Sequence, residues 1–402
     1  MSVPKPTNTN SVLRPGKPVR DRSTWVTYLQ LSCFAWFMYG FGATQALLRD
    51  EQGTTRAVSG LHGTSLAIAG IISGLLTSRF IDRFGRGAVL RFGSIGVIVG
   101  IVVYTLPSGG YPVTMLGAFL TSFFGTLMLI TVNAYLIDHQ GPAGSAAITE
   151  GNGLASIAGL FAPLAIGIGV ATVFGWRWGL LVAAVGLVVV ELLRGRSVLQ
   201  YNDAHHAPAI VEKGKMPKGF GWSMVVVMCF LGSEFSLVFW GADLLRERAL
   251  FGPAAAAASL AAVTGGMAIG RFGGARIAQT IANDRILKWS TVIALIGFAL
   301  AWATQSGITI LIGMLVVGVG IGVHWPLGVA RAVAASGGRT DRASALASVF
   351  GSVAIASAPF ALGALADATN FHLALLLVPA MLIVALIVLI AKPVVSSATS
   401  QP

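Results

Sequence analysis

The sequence predicts an all-α membrane protein of twelve transmembrane helices, arranged as two pseudo-symmetric six-helix halves. Three observations predict it: an apolar composition, twelve long apolar runs, and a one-sided distribution of lysine and arginine. Of 402 residues, 55% are hydrophobic and 10% charged, with a mean hydropathy of +0.79. A soluble domain keeps about a quarter of its residues charged, so this chain has too little polar surface to face water. Cys33 and Cys229 both fall in apolar runs and offer neither a disulfide framework nor a metal site.

A helix needs about 20 apolar residues to cross a bilayer. The runs in the first half cover residues 25–47, 57–77, 88–106, 112–137, 145–173 and 176–193. Those in the second cover 220–243, 254–276, 286–304, 308–332, 341–366 and 370–391. Several are rich in glycine and alanine, which lets membrane helices approach closely. They are continuous rather than alternating, which excludes a large β-barrel. Residues 1–24 form a polar tail without the apolar core and cleavage site of a signal peptide, so a cytoplasmic tail is expected. Residues 194–219, with His205-His206, Glu212, Lys213 and Lys215, read as a cytoplasmic linker between the halves, and 392–402 as a second cytoplasmic tail.

With the N-terminus cytoplasmic, 22 of the 27 lysines and arginines fall on that side. Only Arg49, Arg56, Arg177, Arg246 and Arg248 remain outside. This is the positive-inside pattern, and it places both termini in the cytoplasm of a cell bounded by an inner membrane. It also accounts for the net charge of +12 without a nucleic-acid partner.

The halves are related by an internal repeat. Shifted by 196 residues, Cys33-Phe34 falls on Cys229-Phe230 and Ala162-Pro163 on Ala358-Pro359. Shifted by 197, Leu47-Leu48-Arg49-Asp50 falls on Leu244-Leu245-Arg246-Glu247, Arg79 on Arg276, and Leu90-Arg91 on Leu287-Lys288. An even number of helices per repeat makes the halves parallel, an architecture that places substrate near mid-membrane between them.

Between the second and third runs lies Ser78-Arg79-Phe80-Ile81-Asp82-Arg83-Phe84-Gly85-Arg86. Gly85 permits a tight reversal, and Asp82 is placed to accept from helix N-terminal amides or an arginine. The stretch resembles the cytoplasmic loop motif of the major facilitator superfamily, G-x-x-x-D-R-x-G-R. Asp82, Arg83, Gly85 and Arg86 match it; Ser78 replaces the leading glycine. The resemblance covers essentially the whole chain and implies a carrier whose first, fourth, seventh and tenth helices line the cavity. It implies that Asp82 latches the outward-facing state. The second copy has Ala275, Arg276 and Gln279 at the corresponding positions, so little latch function is expected there. The fourth helix lacks the arginine of many proton-coupled members, and the antiporter signature of the fifth survives only as Ala162-Pro163 and Ile166-Gly167.

An ionisable group inside a membrane helix is a candidate site by default. Glu234 lies mid-run in the seventh helix beside Phe230, Phe235, Phe239 and Trp240, as a proton-coupling group or a structural pair. Arg271 either snorkels to headgroups, the favoured reading, or reads a carboxylate in a bidentate fashion. The resemblance adds that similar arginines occur in members carrying organic anions. His324 and Asn133 are polar interruptions that either touch substrate or bond between helices, with Pro326 kinking the tenth helix. Trp36, Tyr39 and Gln45 on the first helix, with Trp240 and Trp325, are candidates for the cavity wall. Glu150 and Asn152 are expected to cap the fifth helix or support the latch.

No phosphate-binding loop, catalytic triad or metal spacing appears, so neither an enzyme nor a cofactor is expected. The reading is a monomeric secondary transporter, proton-coupled, exporting a small amphipathic or cationic compound past Glu234. Two alternatives stand beside it: an importer of a small organic anion read by Arg271 and His324, and a non-transporting membrane sensor or scaffold.

Overall fold

The computed structural model describes residues 18–106, 110–196, 201, 215–278 and 280–394, the side chains of Ser145 and Asp341 excepted. Lys5, Arg14, Lys17, His205, His206, Glu212, Lys213 and Gln279 lie outside the described residues. The first half contains α1 (Arg22–Gln52), α2 (Arg56–Phe84), α3 (Arg86–Tyr104), α4 (Tyr111–Gln140), α5 (Gly144–Val170) and α6 (Trp176–Arg194). The second contains α7 (Phe220–Ala249), α8 (Pro253–Ile277), α9 (Asn283–Trp302), α10 (Gly307–Ile321), α11 (His324–Ala334), α12 (Thr340–Ala368), α13 (Phe371–Ala374) and α14 (Leu377–Ala391). Among the described residues, twelve spans are long and apolar enough to cross a membrane; α10 with α11 make the tenth and α13 with α14 the twelfth.

Both breaks within spans trace to proline. Pro326 has no N–H to give the carbonyl four residues back, that of Gly322, and the helix is interrupted at Gly322–Val323. Pro379 does the same at the α13–α14 junction, whereas Pro163 and Pro359 lie inside continuous helices.

Within the first half α1 packs on α5 and α6, and within the second α7 packs on α12 and α14. Across the halves, α1 meets α7, α2 meets α12, and α5 meets α8. Twelve crossings return the chain to the face where it entered, called here the terminal face; the other is the distal face. The halves are in contact at the distal face along α1–α7 and α2–α12, and α5 stays beside α8 as far as Gly153 and Phe272. A Cβ on Gly42 would lie 2.3 Å from the Val238 carbonyl oxygen, so only glycine lets α1 and α7 meet there. Phe41 and Phe239 cross beside it, ring centroids 5.3 Å apart, and Thr64 of α2 donates to the Ala356 carbonyl of α12 at 2.6 Å. Nearer the terminal face α2 leaves α12: Gly74 has no neighbour within 4 Å of a Cβ position.

Candidate functional site

A cavity of about 410 Å³ occupies the gap below this seal. Its wall is mostly apolar, with Phe34, Met38, Leu231, Phe235, Val238 and Trp325 among its residues. The polar groups are few: Tyr39, Asn152, Ser156, Glu234, Arg271, Ser348 and Ser352. A pocket mainly apolar with a few convergent polar groups is the usual form of a small-molecule site.

Arg271 is held inside by the tenth-span break. The Gly322 carbonyl, freed because Pro326 cannot donate to it, accepts from Arg271 Nε at 3.3 Å. Nη1 donates to the Tyr39 hydroxyl of the opposite half at 2.8 Å, and Nη2 stands 4.0 Å from Glu234 Oε1. Glu234 Oε2 is buried without a hydrogen-bond partner among the described residues. Of this pair the cation is the accessible member, its side chain 30% exposed against 9% for the acid. The favoured expectation, that Arg271 snorkels to headgroups, is corrected: the kink draws it inward.

The other sequence candidates divide. Tyr39 and Trp325 line the cavity. Trp36 points away from it, donating to the Gly179 carbonyl of α6 at 2.7 Å. Gln45 faces α3 and bonds the Tyr104 hydroxyl at 3.0 Å. Trp240 belongs to the distal seal, its indole N–H on the Pro359 carbonyl at 3.0 Å. His324 is fully buried behind the wall, stacked on Phe230 at 3.8 Å with Nε2 3.5 Å from the Thr291 hydroxyl of α9. These four are corrected as cavity residues: Trp36, Gln45 and His324 pack on the flank of their helices turned toward their own half, and Trp240 lies in the seal under Arg49. Asn133 lies one turn from the lining residue Leu129, its Oδ1 buried and without a partner among the described residues.

Asn152 is also reassigned. The fifth helix begins at Gly144, too early for Glu150 or Asn152 to cap it. Asn152 lines the cavity, and Glu150 instead pairs with Arg20 at 2.8 Å. Two one-turn repeats, Asn152–Ser156 and Ser348–Ser352, were the available sequence signal for these polar wall positions.

In the terminal-face loop, Gly85 takes φ 75° and joins α2 to α3 without spare residues. Arg86 is buried on Asp138 at 2.6 Å, while Asp82 and Arg83 are exposed. At the distal face a cluster not foreseen as a site closes the halves. Arg49 pairs with Asp243 through both guanidinium nitrogens, Arg246 with Asp50 at 2.6 Å, and Arg56 with Glu247. Asp367 of α12 accepts from the Arg56 and Ala57 amides at the start of α2, the latter at 2.8 Å. The Leu-Leu-Arg-acid repeat was its signal.

Twelve crossing helices in two related halves, sealed on one side above a central cavity, define a polytopic carrier. The chain matches the Major Facilitator Superfamily model over residues 29–295 and belongs to that family, whose members are secondary transporters rather than enzymes. An uncharacterized MFS-type transporter of Yersinia pestis is 24% identical over 338 residues, 80% of this chain and 83% of that one. Among solved structures, a D-xylose–proton symporter is similar at TM-score 0.70 and 15% identity, covering 92% of this chain and 97% of the other. An inward-facing, occupied bacterial homolog of the human lysosomal transporter Spinster is similar at TM-score 0.70 and 13% identity, covering 94% and 97%.

Proposed function

We propose that this transporter carries a small amphipathic organic anion together with a proton, taking it up into the cytoplasm. The observation that carries the reading is the relative exposure of the central pair: a ligand entering the cavity meets Arg271 before Glu234. A carboxylate can take the guanidinium bidentately while its apolar body lies against Phe34, Phe235 and Trp325. The cationic-export reading rested on Glu234 as a lone central acid, and Arg271 beside it weakens that reading.

Coupling follows from competition. A substrate carboxylate that engages Arg271 takes from Glu234 its nearest cation. An unpaired buried carboxylate is costly, so Glu234 takes up a proton as the anion binds. Anion and proton then move together with no net charge. Tyr39, which reaches Arg271 from the opposite half, ties the state of the site to the approach of the halves. In this reading the terminal face is cytoplasmic, the membrane is the inner one, and the structure is inward-facing.

Purified protein in liposomes, loaded at neutral pH and diluted into acidic buffer, tests this with a panel of labelled monocarboxylates and organic cations. Accumulation of a carboxylate should follow the pH gradient and be indifferent to an imposed membrane potential. Glu234→Gln should keep counterflow exchange and lose accumulation, and Arg271→Lys should lower affinity by at least tenfold. Uptake of cations with Arg271→Lys silent would sink the reading, and no flux across the panel would favour the sensor.

A further inference from the structure

The back of α8, away from the substrate cavity, carries a second concavity with different chemistry. Between α8 and α9 near the terminal face lies an apolar groove of about 360 Å³, lined by Gly270, Gly273, Ile277, Trp289 and Ile293 and closed behind by Val319. Trp289 is 65% exposed, with its ring along the groove wall. Among the described residues, a Cβ on Gly273 would meet nothing within 4 Å, so none of them fills the space there.

The terminal end of this groove is basic. Arg285 precedes Trp289 by four residues, so it stands one turn nearer the terminal face on the same stripe of α9. Arg276 follows Gly273 by three on α8, and Lys288 adjoins Trp289. Among the described residues these three cations make no ion pair, a state they share with several other basic residues of this face; what sets them apart is the apolar groove beside them. Three unmatched positive charges above an apolar slot suit a molecule with an anionic head and a hydrocarbon tail.

We infer that this groove is a binding site for one anionic glycerophospholipid of the terminal-face leaflet. One acyl chain lies along Gly273 against Trp289, and the phosphate is held by Arg276, Arg285 and Lys288. The groove shares its wall helix with Arg271, which lies between Gly270 and Gly273 in sequence. Any effect of the lipid on transport therefore rests on the functional reading above; the binding itself does not.

The test is quenching of Trp289 by phospholipids brominated along the acyl chain, in vesicles of phosphatidylcholine containing graded phosphatidylglycerol. The signal lost on Trp289→Phe isolates the component belonging to this residue. That component should be quenched by brominated phosphatidylglycerol at far lower mole fraction than by brominated phosphatidylcholine. Arg276→Gln with Arg285→Gln and Lys288→Gln should remove this preference, by a factor on the order of a hundred at about fivefold per charge. Gly273→Leu points a side chain into open space and should fill the groove, abolishing the preference with the cations intact. Equal quenching by both lipids in the unaltered protein, or a preference surviving the triple substitution, would overturn the site.

Discussion

At the distal face Arg49 of α1 grips Asp243 of α7 across the two halves; at the terminal face Asp82, the acid of the loop motif, faces solvent. Both faces carry arginines and acids at helix ends. The difference lies in what the halves' approach does to those charges. Where the helices meet, Arg49 and Asp243 are 11% and 2% exposed, and each needs the other. Where the helices part, Asp82 is exposed and, among the described residues, makes no ion pair. A carrier that alternates should reverse this assignment in its other state, so the charges at each face measure which state is populated.

The largest expected effect comes from breaking the buried pair. Arg49→Ala leaves Asp243 without a partner in the closed distal seal, a loss of roughly 3–5 kcal/mol. Opening the distal face would let water reach Asp243, so the penalty falls on the closed arrangement alone and shifts the equilibrium by two or more orders of magnitude. Double electron–electron resonance between spin labels at Thr54 and Arg248 should show the distal distance lengthen. Exchanging the partners, Arg49→Asp with Asp243→Arg, should restore the short distance; an unchanged distribution in Arg49→Ala would mean that the ion pair does not hold the seal.

The repeat supplies an internal control of smaller size. Arg246 is the counterpart of Arg49, yet its pair with Asp50 is 25% and 46% exposed. Screened pairs of this kind are worth about 0–1 kcal/mol. Asp50→Asn should therefore shift the label distances less than tenfold in population. If it matched Arg49→Ala, position in the repeat rather than burial would govern the clamp. Asp82→Asn sharpens the contrast from the other side. It should leave the distal distances short and, if Asp82 latches the opposite state, partly reverse the opening caused by Arg49→Ala when the two are combined.

Much of this arrangement was legible in the sequence because lipid makes severe demands. Only long apolar segments can cross, so the spans could be counted, and the 197 offset aligned Arg49-Asp50 with Arg246-Glu247, part of the clamp, though not Asp243, Arg56 or Asp367. Facing was not legible. In a soluble helix the apolar stripe marks the inside, but here exposed Leu75 and buried Leu66, both on α2, are equally apolar. Tyr39 and Trp36 therefore looked alike, though one reaches Arg271 and the other α6. Arg271 was misread for a related reason. Its inward direction depends on the Gly322 carbonyl that Pro326 sets free, a contact 51 residues away in sequence.

The smallest effect concerns a contact confined to one half. Asp21 caps α1, accepting from the Thr24 amide at 2.8 Å, and its second oxygen meets His139 Nε2 at 2.7 Å. Burial by itself would raise the Asp21 carboxyl, but hydrogen bonds from Thr24, His139 and Ser23 outweigh it and hold the group at about 2. An acid lowered in the folded state stabilises it above the unfolded value of about 3.9, and the contribution fades as pH falls toward 2. The side chain is 39% exposed, so after screening the contribution is under ~1 kcal/mol. Asp21→Asn keeps a good helix cap while removing the charge. Its thermal midpoint should lie slightly below that of the unaltered protein at pH 7, with the gap closing below about pH 4. Because Thr24, Ser23 and His139 all belong to the first half, the distal label distances should not move. A shift in them would mean that the terminal-face contacts of one half also bias the clamp between the two.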